Sequence, residues 1–180
     1  MMAMGGEGTP AESLKQLNIV PLTISYEYDP CDYLKAKEFQ QKRDDASFKK
    51  SQADDFINMK VGIGGYKGRI HYHAACPVNT WMDKMADLPK GQFFGALAEG
   101  IDREIHRHYE LFPNNYIAAD RLSGTNEFAD IYTPEDAERF NQYLQGQLAK
   151  VDLPNKDEAF LTERMLTMYA NPLRNHLKTL

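Results

Sequence analysis

The feature that most constrains this chain is a shortage of strands. Two stretches read as β-structure, residues 19–26 and 69–75. The first opens with Ile19-Val20-Pro21-Leu22-Thr23-Ile24 and is apolar at successive positions in its first half. That pattern belongs to a strand covered on both faces, as in the interior of a parallel sheet. Pro21 is out of place in such a strand, because proline donates no ladder hydrogen bond and is confined to edges, ends and bulges. The second stretch sets Ile70 and Tyr72 on one face and His71 and His73 on the other. A two-stranded unit by itself is marginal in water. Either a third strand lies in the aromatic stretch 111–122, or polypeptide outside these 180 residues completes the sheet. The buried character of the first strand favours the second alternative.

Helical signals fill most of the remainder. Residues 11–17 form a short segment capped near Thr9. Asp29-Pro30-Cys31-Asp32 is a helix start: Asp29 caps free amides, Pro30 suits the first helical position and Asp32 complements the helix dipole. The helix it opens runs to about Lys50, and Ser51-Gln52-Ala53-Asp54 restarts it with Phe56, Ile57 and Val61. The glycines between Gly62 and Gly68 break it. Residues 91–109 are amphipathic, with Phe93, Phe94, Leu97, Ile101 and Ile105 as a core-facing stripe. A short helix follows Pro113. Thr133-Pro134-Glu135-Asp136 opens another, carrying Phe140, Leu144 and Leu148, and a last one runs from Lys156 to Ala170 with an interruption at Pro172.

With 42% apolar and 26% charged residues, the 180-residue chain can build one domain with a core. A net charge of −5 with interspersed signs argues against nucleic acid as a partner. No stretch reaches the ~18–20 apolar residues of a bilayer span. Residues 1–10 read as a flexible leader without the features of a signal peptide. Cys31 and Cys76 match no zinc or redox spacing and are expected to be reduced thiols with structural roles.

The order of segments carries a resemblance. Asn18-Ile19-Val20-Pro21-Leu22-Thr23-Ile24 resembles the fourth motif of glycerolipid acyltransferases, an apolar strand with a Val-Pro core. Gly68-Arg69-Ile70-His71-Tyr72-His73-Ala74-Ala75-Cys76-Pro77-Val78 is similar to that family's next strand, and an amphipathic helix follows where the family has one. The stretches 25–32 and 111–118 look like those of a bacterial glycerol acyltransferase subgroup. The resemblance extends from about Leu17 onward. It implies a helix-rich partial α/β fold whose few strands are completed by a missing N-terminal half. Residues 17–122 would be the later part of the α/β core and 123–180 a helical extension, within a single domain of residues 1–180. It also implies transfer of an acyl group from acyl-CoA or acyl carrier protein to a lysophospholipid or glycerol-phosphate hydroxyl. That chemistry would take place at the cytoplasmic membrane surface with no metal or bound cofactor.

Chemistry in that family rests on His-x4-Asp, in which the histidine is general base on the acceptor hydroxyl and the aspartate orients it. This sequence departs from the pattern. Five positions after His71, His73, His106 and His108 stand Cys76, Val78, Leu111 and Pro113, and His176 has no residue at that offset. No catalytic residue is carried over, and the chain is expected to be inactive alone. Glu7-Gly8-Thr9 spells the start of the family's Glu-Gly-Thr-Arg motif, but Pro10 replaces the arginine and the match is read as chance.

The residue-level candidates lie around the first strand. The resemblance implies that Val20, Pro21 and Leu22 line a substrate wall. Ligands of open α/β sheets bind beyond the carboxyl ends of strands, which points to Tyr26, Glu27 and Asp29. The plainer alternative is that Asp29 caps a helix and the tyrosines pack. Gly62–Gly68 matches neither dinucleotide-binding nor Walker patterns and reads as a connection. His71, His73 and Cys76 offer zinc donors without a second ligand pair, while His106 and His108 fall on largely opposite helix faces. Two other functions stay open: a self-contained, non-catalytic lipid-binding or interaction domain with an acyltransferase-like sheet, and a metal-dependent hydrolase using His71, His73 and Cys76. The incomplete sheet of a fragment also offers a route to self-association.

Overall fold

The computed structural model describes residues 9–180; residues 1–8 of the leader, with the Glu7-Gly8 part of the acidic motif, lie outside the described residues, whereas Thr9 and Pro10 belong to the start of the first helix. The elements in chain order are α1 (Pro10–Leu17), β1 (Leu22–Tyr26), α2 (Asp32–Asp44), α3 (Gln52–Gly64), β2 (Ile70–Ala74), α4 (Lys90–Arg107), α5 (Pro113–Ser123), α6 (Pro134–Ala149) and α7 (Glu158–Leu177). The fold is helix-rich α/β, with one two-stranded antiparallel sheet among the described residues. The chain forms two compact units. One takes the residues up to Ser25 together with His71–Glu110 and His176–Leu180, and the other takes Tyr26–Ile70 and Leu111–Asn175.

In the first unit, α1 starts at a capping box in which the Thr9 hydroxyl accepts from the Glu12 amide and the Glu12 carboxylate accepts from the Thr9 amide. Ala11 and Leu14 of α1 pack with Val78, Met82, Phe93 and Leu97, and Ile19, Trp81, Phe94 and Ile101 surround them. The expected stripe of α4 is therefore core. Gly100 is required in this packing, since a Cβ there would stand 2.7 Å from the Trp81 ring.

The strand pair corrects the expectation of a strand covered on both faces. The Ala75 amide donates to the Pro21 carbonyl at one end, and the Glu27 amide donates to the Arg69 carbonyl at the other. This register sets Leu22 opposite Ala74, Thr23 opposite His73 and Ile24 opposite Tyr72. Burial alternates strictly along β1, and its sense is reversed. Thr23 and Ser25 are buried, whereas Leu22 is 51% and Ile24 40% exposed; Tyr72 on β2 is 60% exposed. The polar face is held by α4 and the residues after it. The Thr23 hydroxyl donates to the Ile105 carbonyl at 3.3 Å, and the Glu110 amide donates to the Ser25 hydroxyl at 3.0 Å. Pro21 also explains why β1 begins at Leu22 instead of Ile19. Its carbonyl accepts from Ala75, but it has no N–H to return the bond, so the ladder ends there.

The second unit is built on Tyr28, Ala36, Ile117, Ala118, Phe140, Leu144, Leu161, Met165, Tyr169 and Leu173. Boxes at Ser51/Asp54 and Thr133/Asp136 start α3 and α6. Three expectations change. First, α2 begins at Asp32 instead of Pro30, because the Asp29 side chain accepts from the Cys31 amide and its carbonyl accepts from the Asp32 amide, closing a turn first. It ends at Asp44, where Asp45 accepts from both the amide and the hydroxyl of Ser47. Second, of the two alternatives for completing the sheet, the third strand in the aromatic stretch is ruled out: the stretch forms the expected helix after Pro113, α5, entered through the Asn115 side chain accepting from the Phe112 amide at 2.7 Å. Third, α7 continues through Pro172. Ala170 and Leu173 on either side are fully packed, and this tertiary packing outweighs the single lost backbone bond. Cys31 is buried, as expected of a structural thiol, whereas Cys76 is exposed.

Gly68, before β2, adopts φ of +63°, and a Cβ there would meet the Glu27 carboxylate at 2.6 Å and the Tyr28 ring at 2.8 Å. Gly68→Ala is therefore expected to cost at least about 1–2 kcal/mol from the left-handed backbone alone, with the clash added. Urea denaturation of both proteins measures it, and an unchanged midpoint would contradict this geometry.

Candidate functional site

The six residues singled out around the first strand separate into different environments. Val20 and Leu22 are exposed and Pro21 is buried, all in the first unit. Tyr26, Glu27 and Asp29 belong to the second. Tyr26 is 40% exposed, with the Lys67 ammonium 6.0 Å from its ring centroid. Glu27 is buried and fully engaged. Its carboxylate accepts from the Arg69 amide at 2.9 Å and from the Arg69 guanidinium at 3.1 and 3.2 Å, and its carbonyl accepts from Asn114. That bidentate arrangement pins the strand end and engages both carboxylate oxygens. Asp29 is half-buried, ion-paired to Lys35 at 2.5 Å, and its own amide donates to the Tyr169 hydroxyl at 3.0 Å. The plainer reading of Asp29 holds to this extent: it organises the turn into α2.

The densest polar cluster of the unit was not anticipated. Asp32 stands at the helix start, as its place in the Asp29–Asp32 segment implies, and is completely buried. Its Oδ2 accepts from the Tyr169 hydroxyl at 2.7 Å and the Tyr143 hydroxyl at 3.0 Å. Its Oδ1 accepts from the Tyr33 amide at 2.6 Å and from the Gln147 side chain. The side-chain partners come from α6 and α7, more than a hundred residues downstream. One sequence signal does exist: Tyr143 and Gln147 lie four apart, interleaved with the buried Phe140 and Leu144, so two polar groups fall beside the core-facing stripe of α6.

Desolvation lifts the Asp32 carboxyl above the usual aspartate range, and the hydrogen bonds from Tyr169, Tyr143, Tyr33 and Gln147 pull it partly back. Burial and then the Asp32 charge push both tyrosine hydroxyls upward, so they stay protonated as donors. With no surface open to solvent, Asp32 cannot meet a substrate directly; it clamps α2, α6 and α7. Tyr143 and Gln147 also line a surface cavity with Pro30, Tyr33, Val61, Gly65, Tyr66 and Lys150, and the Lys150 ammonium lies 5.4 Å over the Tyr33 ring. This cavity is one hydrogen bond removed from the buried carboxylate.

The histidines are not brought together as a metal site. His73 stacks on His108 with ring centroids 3.9 Å apart, and His108 Nδ1 lies 2.7 Å from the Glu104 carbonyl. His106 turns to Tyr109 instead, as opposite helix faces require. Among the described residues no group of three or more ligating side chains is placed to hold a metal ion. None of the described helices is long and apolar enough to cross a membrane. No family model matches the chain, and neither a curated protein nor a solved structure gives a match.

The upward shift of Asp32 has a definite sign in stability. The folded chain holds this proton more tightly than the unfolded chain does. Its contribution is therefore full below the ordinary aspartate value and is lost as pH rises through the raised folded value. Asp32→Asn is expected to remove that slope from a series of urea titrations across acidic pH. Asp32→Ala is expected to cost roughly 1–3 kcal/mol for each hydroxyl left unsatisfied. A slope that persists in Asp32→Asn would assign it to another group.

Proposed function

We propose that this chain supplies the later strands and C-terminal helices of a glycerolipid acyltransferase. The whole enzyme esterifies a lysophospholipid or glycerol-phosphate hydroxyl from acyl-CoA or acyl carrier protein at the cytoplasmic membrane surface. The observation that supports this reading is the direction the strand pair faces. Leu22, Ile24 and Tyr72 point into solvent while Thr23 and Ser25 are buried. A sheet layer that hides its hydroxyls and shows its aliphatic side has an unused apolar surface. Fully covering a side chain of Leu or Ile size contributes roughly 1.5–3 kcal/mol. Further strands and a covering layer would use that surface, as the resemblance to the Val-Pro motif implies.

In this reading the catalytic histidine and aspartate belong to polypeptide outside the 180 residues. That histidine takes the proton of the acceptor hydroxyl, the oxygen attacks the thioester carbonyl, and the thiolate leaves. Val20, Pro21 and Leu22 form part of the wall near the acyl chain, while Tyr26, Glu27 and Asp29 organise the end of the strand. A second reading, a non-catalytic lipid-binding or interaction domain, has one observation in its favour: each unit closes a core with its own residues.

The purified chain, given an acyl thioester and lysophosphatidic acid, is expected to show no turnover. Joined to the polypeptide encoded upstream, it is expected to transfer acyl groups, and replacing the histidine of an upstream His-x4-Asp should abolish this. Turnover by the chain alone would overturn the proposal. An upstream sequence without His-x4-Asp, with no turnover from the joined protein, would favour the binding domain.

A further inference from the structure

The surface cavity beside the Asp32 clamp is assembled from three parts of the second unit. Tyr33 comes from α2, Val61 and Tyr66 from the end of α3 and just past it, and Tyr143 and Lys150 from α6 and its end. Gly65 is required in the wall, because a Cβ there would stand 2.3 Å from the Pro30 ring. Tyr28 braces two of the aromatic rings, with centroids 5.8 Å from Tyr66 and 4.1 Å from Tyr143. The cavity volume is about 190 Å³. Pockets for drug-sized ligands run to roughly 300–1,000 Å³, so this one takes a single ring with a short polar arm and not a nucleotide.

Lys150 is the one charged residue among those that line the cavity. Its ammonium donates to the neutral Gln147 Oε1 and lies over the Tyr33 ring, and no carboxylate pairs with it among the described residues. The acids at the start of α2 are engaged with other groups. Asp29 takes the Lys35 ammonium and the Cys31 amide, while the two Asp32 oxygens take two phenols, a side-chain amide and a backbone N–H. Tyrosine faces alone would suit a cation, but the ammonium over Tyr33 already fills that role and would repel a second one. The Tyr33 and Tyr66 phenols have no hydrogen-bond partner among the described residues, so both keep polar capacity for a ligand. Aromatic and apolar walls with one ammonium lacking a counter-ion match a planar ring that carries a single negative charge.

We propose that this cavity binds a small aromatic carboxylate, with its ring among Tyr33, Val61 and Tyr66 and its carboxylate on the Lys150 ammonium. None of these residues belongs to the substrate wall of the acyl-transfer reading, and the proposal does not need that reading, because binding is measured without turnover.

Calorimetric titration of the purified chain tests this with three probes of similar shape. Phenylacetate carries both features, phenylacetamide lacks the charge, and cyclohexylacetate keeps the acid but lacks the aromatic ring. Phenylacetate is expected to saturate one site, binding about tenfold more tightly than the amide and about threefold more tightly than cyclohexylacetate. Lys150→Met should erase the preference for acid over amide, and Lys150→Arg should retain it. Tyr66→Leu should reduce the preference for the aromatic ring. Lys150 is exposed and Tyr66 is 71% exposed, so the substituted proteins should keep the parent circular dichroism. Each of four results would overturn the proposal: no saturable binding, equal affinity for acid and amide, equal affinity for the aromatic and saturated acids, or an acid preference that survives Lys150→Met. None of these results bears on whether the joined enzyme transfers acyl groups.

Discussion

Thr23 and Ser25 turn their hydroxyls inward, onto the Ile105 carbonyl and from the Glu110 amide, and this choice of face governs the strand pair. Side chains alternate along a strand, so slipping β1 by one residue would bury Leu22 and Ile24 and expose the hydroxyls. Burial of aliphatic side chains alone would favour that slip. What opposes it is the hydrogen bonding at both ends. Pro21 fixes one end by accepting from Ala75 without donating in return. At the other end, the Glu27 carboxylate takes the Arg69 amide and Asn114 takes the Glu27 carbonyl, so the ladder stops. The polar face is also the satisfied face, and an unsatisfied buried hydroxyl there would cost roughly 1–3 kcal/mol.

The second unit depends on a comparable arrangement with the opposite outcome. Asp32 is drawn into the interior, and two phenols, an amide side chain and a backbone N–H converge on it. The three side-chain donors come from α6 and α7, so the carboxylate helps fix where those helices dock against α2. The same desolvation that makes the site specific makes its proton hard to remove.

Much of the helical architecture was legible because its signals are local. The Thr9 and Thr133 caps and the apolar stripe of α4 need only neighbouring residues to be read. The alternation of β2 was legible for the same reason. The burial of β1 was not. Four apolar residues in a row, Ile19 to Leu22, look like a strand covered on both sides, yet Ile19 packs against the first core and Pro21 is buried while Val20 and Leu22 face outward. Nothing local distinguishes the two cases; the positions of Ile105 and Glu110 decide. The burial of Asp32 was not legible for a related reason: its neighbours correctly mark a helix start, but its side-chain partners lie 111, 115 and 137 residues away. Glu27 and Asp29 were located correctly as the end of the strand, but the structure uses them to hold the backbone.

The account stands on the parity of β1, and thiol reactivity reads parity directly. With Cys31→Ala and Cys76→Ser as background, a single cysteine is introduced by Thr23→Cys in one protein and by Ile24→Cys in another. Both are treated with a water-soluble maleimide under native conditions. The cysteine at position 24 is expected to react at close to its rate in the unfolded chain, while the one at position 23 stays protected. Protection at 24 with free reaction at 23 would mean that β1 pairs one residue out of the register described, and the outward apolar face would not exist.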